Sequence, residues 1–496
     1  MPRHLPPVWV GRPRDLEDRR GQAQVAEHDQ WRRPFLGRPV AVVLARGAVG
    51  LGRRDGLARV VAVLAVTLLA GLLVGRFLVA GGDGAAPPLT PAATDTATTV
   101  ARLQDELRRR PDEPRLLTQL GVAYVTRARE TADPSFYTKA AGVLERAGKL
   151  APRDPATMTA RGLLDLGRHD FRAASAWGTR ALRANPDATE AYGIVFDAQV
   201  ELGRYDAAVA TAQAMVDRKP TQGSLARASY VRELLGDSAG ALTAMTQAAA
   251  AGSGSAGDRA YVQTLIGNLH LGAGRLPQAE ATYRRALDGL PGYALAEVGL
   301  AQVHAARGDL AGAAELLEPA ATRLPLPATV ALLGDVRAAQ GDTDAAAGQY
   351  QLVRAIERLN QANGVAVDLE LARYEADHAR DKGADPARAV AMARRAMAER
   401  PTVFGADALG WALRQAGRAR EALPHAKAAV RLGTRDALLW YHLAATEADL
   451  GMTAAARRDL ATAFAINPYL TVRDRPAALA LAGRLNVPAP SQVGGR

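Results

Sequence analysis

The chain has 496 residues, 48% hydrophobic and 23% charged, a balance that excludes a mostly disordered protein. It contains no cysteine, which rules out disulfides, thiol nucleophiles, Cys-ligated zinc or iron–sulfur clusters and covalently attached haem. A formal charge of +11 would point to nucleic acid or anionic lipid, unless the charge is concentrated where it does other work.

Residues 1–56 are rich in Arg, Pro and Gly and show no sustained period. They read as a disordered cytoplasmic arm or as a start placed too far upstream, since Val49 would serve equally as an initiator codon. No function is assigned to them.

Residues 57–80 are 24 mostly apolar positions, long enough to span a bilayer as a transmembrane helix or uncleaved signal anchor. The stretch from Val60 to Gly75 is uncharged and apolar all round, unlike a core helix with a polar stripe. Arg59 and Arg76 stand near its ends, where long side chains snorkel to headgroups. The first 81 residues hold 13 Arg, no Lys and 6 acidic groups, a net of +7. By the positive-inside rule the N-terminus stays in the cytoplasm and the remainder is exported. Leu78-Val79-Ala80 also resembles a cleavage site, and in that case the remainder is secreted. Because most of the excess charge orients the segment, no nucleic-acid partner is expected. Residues 81–111, opening with a Pro, Ala and Thr mixture, read as a flexible linker leading into the first helix.

From about Asp112 the sequence repeats. Prolines that close helix-like runs fall at Pro152, Pro186, Pro220, Pro291, Pro325, Pro401 and Pro468, one or two units of about 34 residues apart. Before several of them stand apolar residues in steps of four and three: Ala140, Leu144, Ala147; Ala279, Tyr283, Ala286; Ala313, Leu317, Ala320; Ala389, Ala393, Ala396; Ala456, Leu460, Ala463. Those steps put each trio on one helical face, and the proline ends the helix. A preceding helix carries Leu-Gly, at Leu120-Gly121, Ile266-Gly267, Leu333-Gly334 and Leu409-Gly410, where a missing side chain lets two helices cross closely. A turn glycine joins the two, at Gly203, Gly236, Gly274, Gly308, Gly341, Gly417 and Gly451.

These motifs resemble the tetratricopeptide repeat (TPR) family over residues 112–468, about ten units with insertions at 127–136 and 252–257 and an irregular unit at 359–382. The resemblance implies an all-α fold, an α-solenoid superhelix of about ten helix-turn-helix units after one transmembrane helix. Residues 469–496 are expected to supply a capping helix, with Arg475 and Arg484 exposed, and a tail.

The resemblance further implies that the first helices line a concave face that binds extended peptides or partner helices. Counting back six residues from each turn glycine gives Asp197, Tyr230, Asn268, Gln302, Asp335, Trp411 and Ala445 as central groove candidates. Adjoining positions add Glu190, Glu201, Glu233 and Tyr261 in the front half, and Phe404, Asp407, Arg414 and Tyr441 in the back half. Trp411 with Tyr441 is expected to anchor an apolar side chain. The Lys/Arg/Asn cluster that some family members use for acidic tails has only Asn268 here, so a basic or neutral partner segment suits the front half better.

No G-x-S-x-G elbow, Walker loop, dinucleotide fingerprint or H-E-x-x-H is present, and His270 and His304 take packing positions of the repeat. No enzymatic activity and no cofactor are expected. One polar cluster supports a different reading, a metal-dependent hydrolase or metal-handling protein: Asp368, Glu370, Glu375, Asp377 and His378, with Asp381 nearby. The leading expectation is a non-catalytic, membrane-tethered scaffold that binds partner polypeptides during assembly or trafficking of envelope proteins.

Overall fold

A computed structural model describes residues 96–488 apart from 253, 367, 368 and 382. The arm at 1–56, the apolar segment at 57–80, the linker up to residue 95, Asp368 and the tail beyond 488 lie outside the described residues. Among the described residues there is no strand, and no helix is long and apolar enough to cross a membrane.

The first helix, α1, runs over Thr96–Arg109, inside the stretch expected as linker. Ten helix pairs follow: α2 (Pro114–Thr131) and α3 (Ser135–Leu150), α4 (Pro155–Gly167) and α5 (Phe171–Ala184), α6 (Thr189–Glu201) and α7 (Tyr205–Arg218), α8 (Gln222–Leu234) and α9 (Ser238–Ala251), α10 (Ala256–Gly272) and α11 (Leu276–Gly289). The second five are α12 (Ala294–Arg307) and α13 (Leu310–Arg323), α14 (Pro327–Ala339) and α15 (Thr343–Ala362), α16 (Leu369–Asp377) and α17 (Pro386–Glu399), α18 (Val403–Gln415) and α19 (Ala419–Ala429), α20 (Ala437–Asp449) and α21 (Thr453–Ile466). A single helix, α22 (Asp474–Leu485), follows the last pair.

Local chemistry explains the boundaries. At three turns a glycine in left-handed backbone ends one helix, and the Asp directly after it caps the next: Asp237 accepts the Gly240 N–H at 2.8 Å, Asp309 that of Gly312 at 2.9 Å, and Asp342 that of Ala345 at 3.1 Å. Helices α2, α4, α14 and α17 open on Pro, whose missing N–H costs nothing in a first turn. The insertion expected between the first two helices is mostly taken up by α2, which continues to Thr131. The irregular unit reflects a long α15 followed by a short α16 that ends at Asp377.

All five apolar trios are buried, none above 1% exposed. A Cβ at Gly121 would lie 2.5 Å from Leu144, and one at Gly267 would lie within 2.5 Å of the Tyr283 ring, so each pair closes through a missing side chain. Small residues thus set the inter-helix distance, and van der Waals contact follows from that proximity.

The array then closes on itself. The turn at Arg168 meets the loop before α16, where the Ala366 N–H donates to the Arg168 carbonyl at 2.9 Å. At the next unit the Val403 N–H donates to the Tyr205 hydroxyl at 2.9 Å, and Arg400 pairs with Glu201 at 2.6 Å. One unit further, the Thr434 hydroxyl donates to the Leu234 carbonyl at 2.6 Å, and after that Asn467 Nδ2 donates to the Leu271 carbonyl at 3.0 Å. Each seam joins a turn to the loop six units later. The superhelix therefore completes a turn in six units, and its second turn stacks on its first. One hydrophobic cluster consequently runs from Phe196 through Tyr261 and Trp411 to Val487.

Candidate functional site

Self-stacking leaves a narrow lumen on the superhelix axis, with a cavity of about 300 Å³. One wall comes from the first helices of three successive units, α10, α12 and α14, which contribute Asn268, Gln302 and Asp335 from the same position in the repeat. Glu233, at the end of α8, extends this wall. The adjoining wall comes from α16 and the turn after it, through Arg373, Asp377 and His378, and from the two long loops at 430–436 and 467–473.

The wall residues are held from behind. The Tyr283 hydroxyl donates to Asn268 Oδ1 at 2.7 Å, and the Tyr350 hydroxyl to Asp335 Oδ1 at 2.8 Å, the same bond in two units. His378 Nε2 lies 3.1 Å from Asp335 Oδ1, while its Nδ1 donates to the Tyr374 carbonyl at 2.8 Å. From the 467–473 loop, Arg473 Nη2 reaches Asp381 at 2.5 Å, Nη1 reaches Asp335 at 3.4 Å and Nε donates to the Asp377 carbonyl at 3.0 Å. Asp377 is pushed up to about 6, first by burial and then by Asp474 beside it. The lumen thus carries polar groups of both charges, hydrogen-bonded from behind, on a lining that is otherwise mostly apolar.

Residues 157–223, 225–294 and 264–326 match the tetratricopeptide repeat family. These units are TPRs. Comparison with curated protein sequences gives no match. Among solved structures, the TPR array is similar to a thermophilic TPR protein of Thermus thermophilus, at 23% identity and a TM-score of 0.35, over 38% of this chain and 98% of that one. It is also similar to a TPR protein of Parabacteroides merdae, at 16% identity and a TM-score of 0.36, over 48% of this chain and 97% of that one. Yeast Tom70 is similar at 11% identity and a TM-score of 0.36, over 79% of this chain and 96% of that one.

Of the groove residues expected from the TPR pattern, Asn268, Gln302, Asp335 and Glu233 meet around the lumen. Most of the others are taken up by contacts within the protein, chiefly with the next unit and once across a seam. Asp197 forms a buried bidentate pair with Arg227, at 2.6 and 2.9 Å, and Glu201 is the seam partner of Arg400. Asp407 lies 2.9 Å from His442 Nδ1, and Arg414 pairs with Asp449 at 3.0 Å. Tyr230, Tyr261 and Phe404 are buried in the main core. The expected aromatic anchor is corrected: Trp411 and Tyr441 are 4% and 3% exposed, with the Trp411 ring stacked on His442 at 3.8 Å. Neither ring is open to a partner, because the two pack against each other and against His442 of the adjoining unit. Glu190 stays half-buried at the start of α6.

The polar cluster of the irregular unit separates in the same way. Glu370 turns to Arg400 at 3.2 Å, Glu375 to Arg354 and Arg388 at 3.4 Å each, His378 to Asp335 and Asp381 to Arg473. Asp381 lies beyond the end of α16, so it shares no helical face with Asp377. Among the described residues no group of three or more His, Asp or Glu is placed to hold a metal ion. Arg475, expected to be solvated on the cap, instead donates to the Ala306 carbonyl at 3.1 Å and covers the Tyr469 ring.

Sequence reasoning missed Arg373 and the loop residues Tyr469 and Arg473, which line the adjoining wall. Their signal was the length of the 430–436 and 467–473 junctions, against the short Pro-centred junctions elsewhere.

Proposed function

We propose that the chain is a non-catalytic protein-interaction scaffold that engages a partner polypeptide at the lumen, tethered to a membrane by the segment at 57–80, and that it serves assembly or trafficking of envelope proteins. The observation that carries the binding reading is the recurrence of Asn268, Gln302 and Asp335 at one repeat position around one cavity. Amide and carboxylate groups locked from behind by tyrosine hydroxyls are preorganised, so binding orders few side chains. The cavity takes one or two side chains, and the partner therefore presents a short segment or loop rather than a long helix. The tether and the exported location rest on the apolar run and on the +7 charge before its end.

Capture of partners by the full chain from solubilised membranes tests the reading. Gln302→Ala together with Asn268→Ala should lower recovery of the captured protein by about tenfold, the scale of a hot-spot loss. Unchanged capture would remove the lumen as the binding surface. Fusion of a reporter after residue 95 tests the orientation: activity on the cytoplasmic side would sink the exported reading.

A further inference from the structure

We propose that the chain self-associates head to tail, a second copy continuing the stacking that joins the two turns of its own superhelix. The intramolecular seams define what such contact needs. Gly203 and Gly236 bring bare backbone against the Pro401 and Gly433 carbonyls, so close that a Cβ would lie 2.3 and 2.4 Å from those oxygens. Gly274 meets a side chain instead, where a Cβ would lie 2.9 Å from Cδ of the Pro468 ring. Around them, loop arginines reach the helix ends below, as Arg400 does to Glu201 and Arg431 does over the Tyr205 ring.

The six-unit register gives a loop to meet only to the turns of the first five units. The turns at Gly308, Gly341, Gly417 and Gly451 have the same left-handed backbone, are exposed, and have nothing among the described residues within 4 Å of an added Cβ. At the other edge of the array, the loops at Pro152, Pro186 and Pro220 repeat the junction that Pro401 and Pro468 present, yet these three prolines are exposed where those two are half-buried. Each molecule therefore ends in one unfilled turn edge and one unfilled loop edge, the two halves of a contact it already makes internally.

Of the four large hydrophobic side chains exposed among the described residues, Leu150 stands on the loop edge and Met452 on the turn edge, while Leu352 and Leu359 lie on α15. Because the two surfaces differ, the contact is heterologous and does not close as a dimer; it extends.

Sedimentation velocity of the full chain over a concentration series tests this. The expected mass grows with concentration beyond two chains. Leu150→Glu and Met452→Glu each place a charge on one edge, at positions too exposed to disturb the fold, which an unchanged melting temperature checks. Each variant alone should weaken association by about tenfold or more. Mixed together, the two variants retain one good edge each and should form a one-to-one dimer that grows no further. A wild type that stays monomeric, a mass that stops at two chains, or a mixture that gives no dimer would each overturn the proposal.

Discussion

Gly203 and Gly308 have the same left-handed backbone, at φ +66° and +86°, but only Gly203 faces a carbonyl of the following superhelical turn. An alanine at Gly308 carries only the conformational penalty of about 1–2 kcal/mol. At Gly203 the same change also pushes Pro401 away, and the loss should reach about 3 kcal/mol or more. Urea midpoints of the two variants measure the difference, and equal midpoints would mean that the seam contributes nothing. Glu357 offers a pH-dependent counterpart. It is 3% exposed, with Oε1 unbonded among the described residues, and burial followed by the nearby Glu370 raises it to about 7. A carboxyl raised on folding favours the protonated native state, so its contribution is complete below the unfolded value of about 4.3 and is lost as pH rises through about 7. Stability should therefore fall across that interval, and Glu357→Gln should flatten the fall by on the order of 1–3 kcal/mol in denaturation measured at successive pH values.

At the scale of elements, the second helix of each pair was the most legible part of the sequence. Alanines at fixed steps and a terminal proline state a local rule, and Leu144, Leu317 and Leu460 are buried where that rule puts them. Leu317→Ala should cost about 2–5 kcal/mol in chemical denaturation, the range for a fully enclosed leucine. The groove was less legible for a physical reason. Position in the repeat tells which face a residue occupies, as for Asp197 and Trp411, but not which side chain of the next unit covers it, Arg227 over the first and His442 over the second. Most seam bonds have a backbone carbonyl or amide on one side, which every residue type supplies, so no composition signal announced them. Arg400 with Glu201 is a seam pair made by side chains on both sides. Arg400→Ala leaves Glu201 and Glu370 without their shared cation, Glu201 buried, and should cost about 3–5 kcal/mol. Loss below about 1 kcal/mol in the denaturation midpoint would show that the pair breaks even with solvent.

On the scale of the whole molecule, closure separates this array from an open solenoid, in which each unit touches only its neighbours and ends fray independently. Here Phe196 and Phe464 belong to one cluster. Hydrogen exchange should accordingly report protection of α6, α8 and α18 lost together rather than in order from either end. Progressive opening from α22 inward would contradict that.

The six-unit seam register also restricts how the gene can change. Repeat arrays ordinarily gain or lose whole units without harm, because any unit can stack on any other. Between Gly203 and Pro401 that freedom is lost. Deleting one unit there would keep every local helix pair intact and yet slide the partners along: Glu201 would face the 430–436 loop instead of Arg400, and the Leu234 carbonyl would lose Thr434. Duplications before Arg168 or after Asn467 leave all four seams in phase. The copy number of the middle of this array is thereby fixed, while its two ends remain free to vary.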